Sequence, residues 1–132
     1  MVSLRQYNGS RNVVLYFYPK DFTRGCTVET TSFSRNYDRI LEMGAEVIGI
    51  SSDSTESHRG FADKCGARFV LLADDGEKVR KLYGVRTSLG LVPGRVSYVI
   101  DKQGIIRHIF SSQLNARRHV DEALEALRAL AN

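Results

Sequence analysis

A chain of 132 residues with 42% hydrophobic content suits one compact domain over residues 1–132, with enough apolar mass for a real core and no need of a second domain. Its 19 Lys plus Arg against 15 Asp plus Glu give a net charge of +4, and the basic residues are scattered among acidic ones, so no nucleic acid is expected as a partner. Two cysteines without a Cys-x-x-Cys pair argue against a disulfide-built secreted scaffold, and the absence of a long apolar span, signal peptide or lipidation motif leaves no membrane partner and a reducing cytoplasm as the expected setting.

Along the chain, the continuous apolar and aromatic run Val13 to Tyr18 predicts a central strand covered on both faces. Pro19 ends it, removing a backbone donor and fixing the entrance to the Pro19–Gly25 loop. Cys26 follows at the start of a helix, where orphan backbone N–H groups favour a thiolate, so it reads as a reagent rather than as a packing residue. Phe33, Tyr37, Ile40 and Leu41 recur at helical spacing and predict the buried stripe of one helix ending near Met43–Gly44. Val47 to Ile50 supplies the next strand. Asp53 is placed to cap a helix, with Glu56 completing a capping box. His58, Phe61, Ala62 and Cys65 share one face of that helix, and Gly66 ends it.

Phe69 to Leu72 predicts a short strand, and Glu77 to Tyr83 a short helix with Val79, Leu82 and Tyr83 inward. The Gly84–Gly94 loop is long enough to shape a site. Arg95–Ile100 and Ile105–Phe110 read as an antiparallel hairpin turned at Gly104. Val120, Ala123, Leu124, Leu127 and Leu130 mark an amphipathic terminal helix, whose opening cluster Arg117-Arg118-His119 reads as a solvated face. This order predicts an α/β class and a thioredoxin-like domain with an inserted strand and helix.

Pro19-x-x-x-Thr23-x-x-Cys26 resembles the peroxidatic motif of peroxiredoxins. Leu15-Tyr16-Phe17-Tyr18-Pro19-Lys20-Asp21 and Val92-Pro93-Gly94-Arg95-Val96-Ser97-Tyr98-Val99-Ile100-Asp101 resemble two signatures of the bacterioferritin comigratory protein or peroxiredoxin Q branch. The resemblance runs from Val13 to the last helix, with the usual opening strands largely absent, which implies a truncated N-terminal region in which Leu4–Gly9 packs as an edge. It implies a thioredoxin-like peroxiredoxin fold, thioredoxin-dependent peroxidase activity, no cofactor, and a monomer. Cys26 is the implied peroxidatic residue, Thr23 the active-site threonine, Arg95 the catalytic arginine and Pro19 a wall shielding the sulfur. Arg24 departs from a common proline and reads as solvent-facing. Phe22 departs from a commonly polar position and forms an apolar rim for an organic hydroperoxide.

A thiolate attacks an electrophilic peroxide oxygen far better than a serine hydroxyl, giving a sulfenic acid and water or an alcohol. The Thr23 hydroxyl donates and accepts, which suits orienting the peroxide. Glu29, one turn beyond Cys26, either orients an active-site arginine or contributes favourable charge to the first helical turn. Relatives in the branch commonly carry a resolving cysteine five residues after the peroxidatic one, where this chain has Thr31. The internal candidate is Cys65, 39 positions after Cys26, which either packs as a small hydrophobe or resolves the sulfenic acid; otherwise an external thiol does so. Hydrogen peroxide or organic hydroperoxides are the expected substrates, with thioredoxin, glutaredoxin or a small thiol as reductant. The alternatives are a peroxide sensor or redox relay, and a noncatalytic thioredoxin-like binding module. His58, His108 and His119 are scattered, Asp74-Asp75-Gly76 is an incomplete calcium loop, and the glycines around Gly90 and Gly94 make no phosphate fingerprint, so no metal is expected.

Overall fold

The structure, a computed structural model, describes residues 11–18, 21–74, 87–88, 92–93, 95–111 and 116–131. Pro19, the Leu4–Gly9 edge, the Asp75–Gly76 turn, the Glu77–Tyr83 helix, and Gly90 and Gly94 with much of the loop around them lie outside those residues.

Strand β1 (Asn12–Phe17) is buried along its whole length, as a continuous apolar run requires. Alternation sends Val14, Tyr16 and, just beyond the strand, Tyr18 to one face, where they pack with Phe33, Phe61, Leu124 and Leu127. Val13, Leu15 and Phe17 point to the other, with Ile48, Ile50, Val96 and Tyr98. β2 (Ala45–Ser51) runs parallel to β1, and β3 (Val70–Ala73) parallel to β2. β6 (Val96–Ile100) pairs antiparallel with β1, and β7 (Ile106–Ser111) with β6, giving the order β3-β2-β1-β6-β7. Between them, β4 (Thr87–Ser88) and β5 (Val92–Pro93) form a separate two-stranded ladder in the loop expected to shape a site. With α1 (Arg24–Arg35), α2 (Tyr37–Glu42), α3 (Thr55–Cys65) and α4 (Ala116–Ala131), this is the expected mixed α/β, thioredoxin-like architecture.

Two local expectations change. The helix predicted to run to Met43–Gly44 breaks at Asn36, whose side-chain amide donates to Ser32 O at 2.8 Å while its backbone leaves helical geometry at φ −103°, ψ 6°. Phe33, Tyr37 and Ile40 still face the core. The cap of α3 is Ser54 rather than Asp53: Ser54 Oγ accepts from Ser57 N at 3.1 Å, while Asp53 Oδ2 takes bonds from Asp21 N and Ser51 Oγ, both at 2.7 Å. Gly66 closes α3 in the left-handed region at φ 69°, as expected.

Gly49 on β2 is a close-approach glycine. It lies opposite Tyr16, and a β-carbon there would sit 2.7 Å from Leu71 Cδ2 and 2.8 Å from Tyr16 Cζ. The Tyr16 ring is held on its other sides by stacking on Phe33 and Tyr18, with centroids 4.6 and 5.5 Å away.

Candidate active site

Cys26 lies in the first turn of α1 and is fully buried. Thr23 is the N-cap, in extended geometry, and makes no side-chain cap bond to the helix. Its carbonyl accepts from Thr27 N at 2.8 Å and Thr27 Oγ1 at 2.7 Å, fixing the turn that presents Cys26. Arg95, immediately before β6, is buried, with its guanidinium in electrostatic reach of the Cys26 sulfur. Its guanidinium lies so close to the helix start that a β-carbon on Gly25 would be 2.8 Å from Nη2. A glycine before the cysteine thus makes room for the arginine. The long reach from Arg95 to Cys26, which local spacing does not encode, is made by the β1–β6 pairing that sets the two side by side.

Glu29 holds Arg95 in place. Its Oε1 accepts from Arg95 Nη1 at 2.6 Å, and both side chains are buried. Burial pushes the Glu29 carboxyl up to about 8 against the opposing pull of Arg95. Burial acts to lower Arg95, but Glu29 and Cys26 outweigh it and hold the guanidinium above its usual value. The first-turn-charge reading of Glu29 gives way, since a fully buried carboxylate bonded across the fold to an arginine is orienting that arginine.

His119 belongs to this cluster too, which corrects its reading as part of a solvated face. Arg117 and Arg118 are exposed, whereas His119 is 0% exposed, with Nδ1 2.6 Å from Ser97 Oγ and 3.6 Å from Glu29 Oε2. The spacing His119, Ala123, Leu127, Leu130 places the histidine on the apolar stripe and is the signal that finds it.

A second polar cluster fixes the loop ahead of Cys26. Tyr18 donates to Asp21 Oδ1 at 2.6 Å, Ser57 Oγ donates to Asp21 Oδ2 at 2.8 Å, and His58 Nδ1 lies 2.7 Å from the same oxygen. His58 Nε2 lies 2.9 Å from Leu72 O, so both ring nitrogens face acceptors, which calls for the imidazolium. Burial acts to raise Asp21, and the bonds from His58, Tyr18 and Ser57 outweigh it, leaving the carboxyl below its ordinary value. Burial acts to lower His58, and Asp21 outweighs it, leaving the imidazole above its ordinary value. The Asp21 contribution is present above the ordinary carboxylate range and is lost as pH falls through its lowered value; the His58 contribution is full below about 6.5 and is lost as pH rises through its raised value. The stability advantage of the native protein over Asp21→Asn is therefore expected to peak between about pH 4 and 6.5 and to shrink toward pH 9, read as denaturant midpoints; a constant difference would remove the ion pair from the account.

Phe22 sits in the same loop at φ 65°, a left-handed conformation costly for an aromatic residue. Its ring meets Phe61 edge-on at 5.3 Å and remains half exposed, with Lys64 Nζ 5.6 Å from its centroid. Arg24 is exposed, as expected. Cys65 is the last residue of α3, a free buried thiol in the same core as Cys26. Burial pushes its thiol up, opposed by the neighbouring Thr31. Both sulfurs lie near the Tyr16 phenol, whose hydroxyl pairs with Thr30 Oγ1 at 2.9 Å. Among the described residues no group of three or more His, Cys, Asp and Glu could hold a metal ion.

Residues 1–109 match the AhpC/TSA family. The chloroplastic peroxiredoxin Q of Sedum lineare is 46% identical over 130 residues, covering 98% of this chain and 69% of that protein; the Triticum aestivum protein of the same name is 45% identical, with 98% and 59% covered. The chain thus spans roughly three fifths to two thirds of the length of these curated relatives. Among solved structures, the bacterioferritin comigratory protein of Xanthomonas campestris superposes with a TM-score of 0.90 at 29% identity, over 99% of this chain and 86% of that one. The peroxidoxin BcpB of Mycobacterium tuberculosis gives 0.87 at 33% identity, over 96% and 84%. A cysteine at a helix start, an arginine brought to it across the sheet, and these likenesses along nearly the whole chain agree: the chain belongs to the AhpC/TSA family, in the branch of peroxiredoxin Q and the bacterioferritin comigratory proteins.

Proposed function

We propose that the chain reduces hydrogen peroxide and organic hydroperoxides through Cys26. The thiolate attacks one peroxide oxygen; an S–O bond forms as the O–O bond breaks, Cys26 becomes a sulfenic acid, and the departing oxygen takes a proton and leaves as water or an alcohol. The observation that carries this reading is the Arg95 guanidinium set near the buried Cys26 sulfur and pinned by Glu29 at 2.6 Å, a fixed positive donor where charge develops. Thr23, at the helix cap three residues before Cys26, orients the hydroperoxide with its hydroxyl. The similar Xanthomonas protein has alkyl peroxide reduction activity, which supports the organic substrates.

Cys65 then attacks the sulfenic sulfur, releasing water and forming a disulfide that thioredoxin, glutaredoxin or a small thiol reduces. What supports Cys65 is its nearness to Thr31, five residues after Cys26: the thiol lies beside the position where relatives in the branch commonly carry their resolving cysteine.

Limited peroxide added to the reduced protein, followed by sulfenate trapping and peptide mass analysis, is expected to place the first oxidation on Cys26, with steady peroxide consumption once a dithiol reductant is supplied. A reduced protein that leaves peroxide intact sinks the proposal. Stoichiometric oxidation without turnover under any thiol reductant would favour the peroxide sensor. For the organic substrates, Phe22→Ala should lower the preference for a bulky apolar hydroperoxide over hydrogen peroxide by about threefold, in keeping with the loss of part of an apolar contact. Equal rate ratios in the two proteins would remove Phe22 from the substrate site.

A further inference from the structure

We propose that His119 is a positioning residue of the peroxidatic site, acting on Cys26 through Glu29 and Arg95; the proposal rests on Cys26 as the reacting thiol. The Glu29 carboxylate is used on one side only. Oε1 accepts from Arg95 Nη1 at 2.6 Å, while Oε2 is buried without a hydrogen-bond partner and faces His119 Nδ1 at 3.6 Å. A buried carboxylate oxygen left unmatched is costly, and one proton held between it and the imidazole removes the cost. The charge balance of the site points the same way. With Glu29 ionised and His119 neutral, Glu29 neutralises Arg95, and a Cys26 thiolate adds an uncompensated negative charge to the interior. With one proton on the Glu29/His119 pair, the pair is neutral overall and the charge on Arg95 serves the sulfur. Ionisation of Cys26 supplies that one proton: the S–H bond breaks, its proton goes to a pair that held none, and the site gains no net charge. The elevated Glu29 carboxyl, at about 8, supports a resident proton.

Among the described residues the imidazole has these further neighbours. Ser97 Oγ from β6 lies 2.6 Å from His119 Nδ1, and Phe110 from β7 meets the imidazole edge-on at 4.8 Å. From the β6 and α1 side, Arg95 and Glu29 bring charge to the cluster. On α4 itself, Arg118 is stacked on Phe110 at 5.3 Å, and Glu122 is turned to His108 at 3.9 Å.

The test is a double-mutant cycle in the Cys65→Ser protein, where Cys26 is the sole thiol, reading the thiolate by its ultraviolet absorbance across a pH series. His119→Phe is expected to lower the thiolate fraction near pH 7 by about threefold when Glu29 is present and to leave it unchanged in the Glu29→Gln background, the signature of coupling through Glu29. His119→Gln keeps a side-chain amide for Ser97 but holds no proton, so it should restore thermal stability without restoring the thiolate. An equal loss in both backgrounds, no loss in either, or full rescue by Gln would overturn the proposal. The readout uses no peroxide, so a protein that shows this coupling yet fails to reduce peroxide would refute the peroxidase assignment and leave the His119 inference standing.

Discussion

Replacing Arg95 with Met should slow oxidation of Cys26 by hydrogen peroxide about 10²- to 10³-fold, the range expected when one preorganised donor is removed from a developing charge. In the proposed reaction the guanidinium would act twice, on the sulfur before attack and on the oxygen that departs, and its burial would make each contact worth more than it would be in water. The same change strips Glu29 of its partner. A fully buried carboxylate already held up to about 8 takes a proton rather than remain an unpaired charge, and losing one member of such a pair typically costs about 3–5 kcal/mol of stability. A companion variant, Glu29→Gln with Arg95→Met, removes that difficulty, since both partners become neutral. Single-turnover oxidation measured in the companion should still show the large loss of rate. A folded companion that oxidises at the native rate would show that Arg95 is scaffolding and takes no part in the reaction.

Cys65→Ser should leave the first oxidation within about twofold of the native rate, as expected for a residue outside the transition state, and abolish the intramolecular disulfide. Turnover that depends on that disulfide should disappear with it, leaving a cycle in which an external thiol attacks Cys26 sulfenate. The positions of the two cysteines make internal resolution feasible. A disulfide needs Cα atoms about 4.4–6.8 Å apart, which two intact, packed helices seldom provide. Here, however, Cys26 lies in the first turn of α1 and Cys65 is the final residue of α3. Helix ends carry the fewest internal hydrogen bonds, so releasing one turn from each costs far less than unfolding either helix. Mass analysis after limited peroxide should show a linked Cys26/Cys65 pair lacking two hydrogens. Persistent Cys26 sulfenate with free Cys65, together with unchanged turnover in Cys65→Ser, would assign resolution to an external thiol.

How far the sequence could be read follows from the range of the forces involved. The strands around Val13–Phe17 and Val96–Ile100, the Gly104 hairpin and the inward stripe of the last helix rest on local periodicity, and they stand where that pattern puts them. Cys26 and Arg95 stood out through their motifs and Glu29 through its place one turn beyond Cys26, where two readings stayed open; the structure adds the Glu29–Arg95 bond. The break at Asn36 was not visible, because the apolar stripe continues through it at helical spacing while a single side-chain amide diverts the backbone. Asp53 is a good cap by residue type, but its carboxylate is taken by Asp21 N and Ser51 Oγ, partners that only the folded chain brings near. His58 and His119 escaped for the same reason: each is defined by polar groups contributed by distant elements, Asp21 and Leu72 for one, Ser97 and Glu29 for the other.

The contact between Gly49 and Tyr16 sets a limit on how this chain can vary. No side chain of any kind fits at position 49 without moving the tyrosine ring, and that ring is wedged between Phe33 and Tyr18 in an interior packed as densely as a crystal. Since both thiols neighbour the Tyr16 phenol, a ring displaced by even a methyl group would disturb the surroundings of both together. In a library carrying every amino acid at each position, position 49 should accept glycine alone, although it lies in the middle of a strand and carries none of the chemistry.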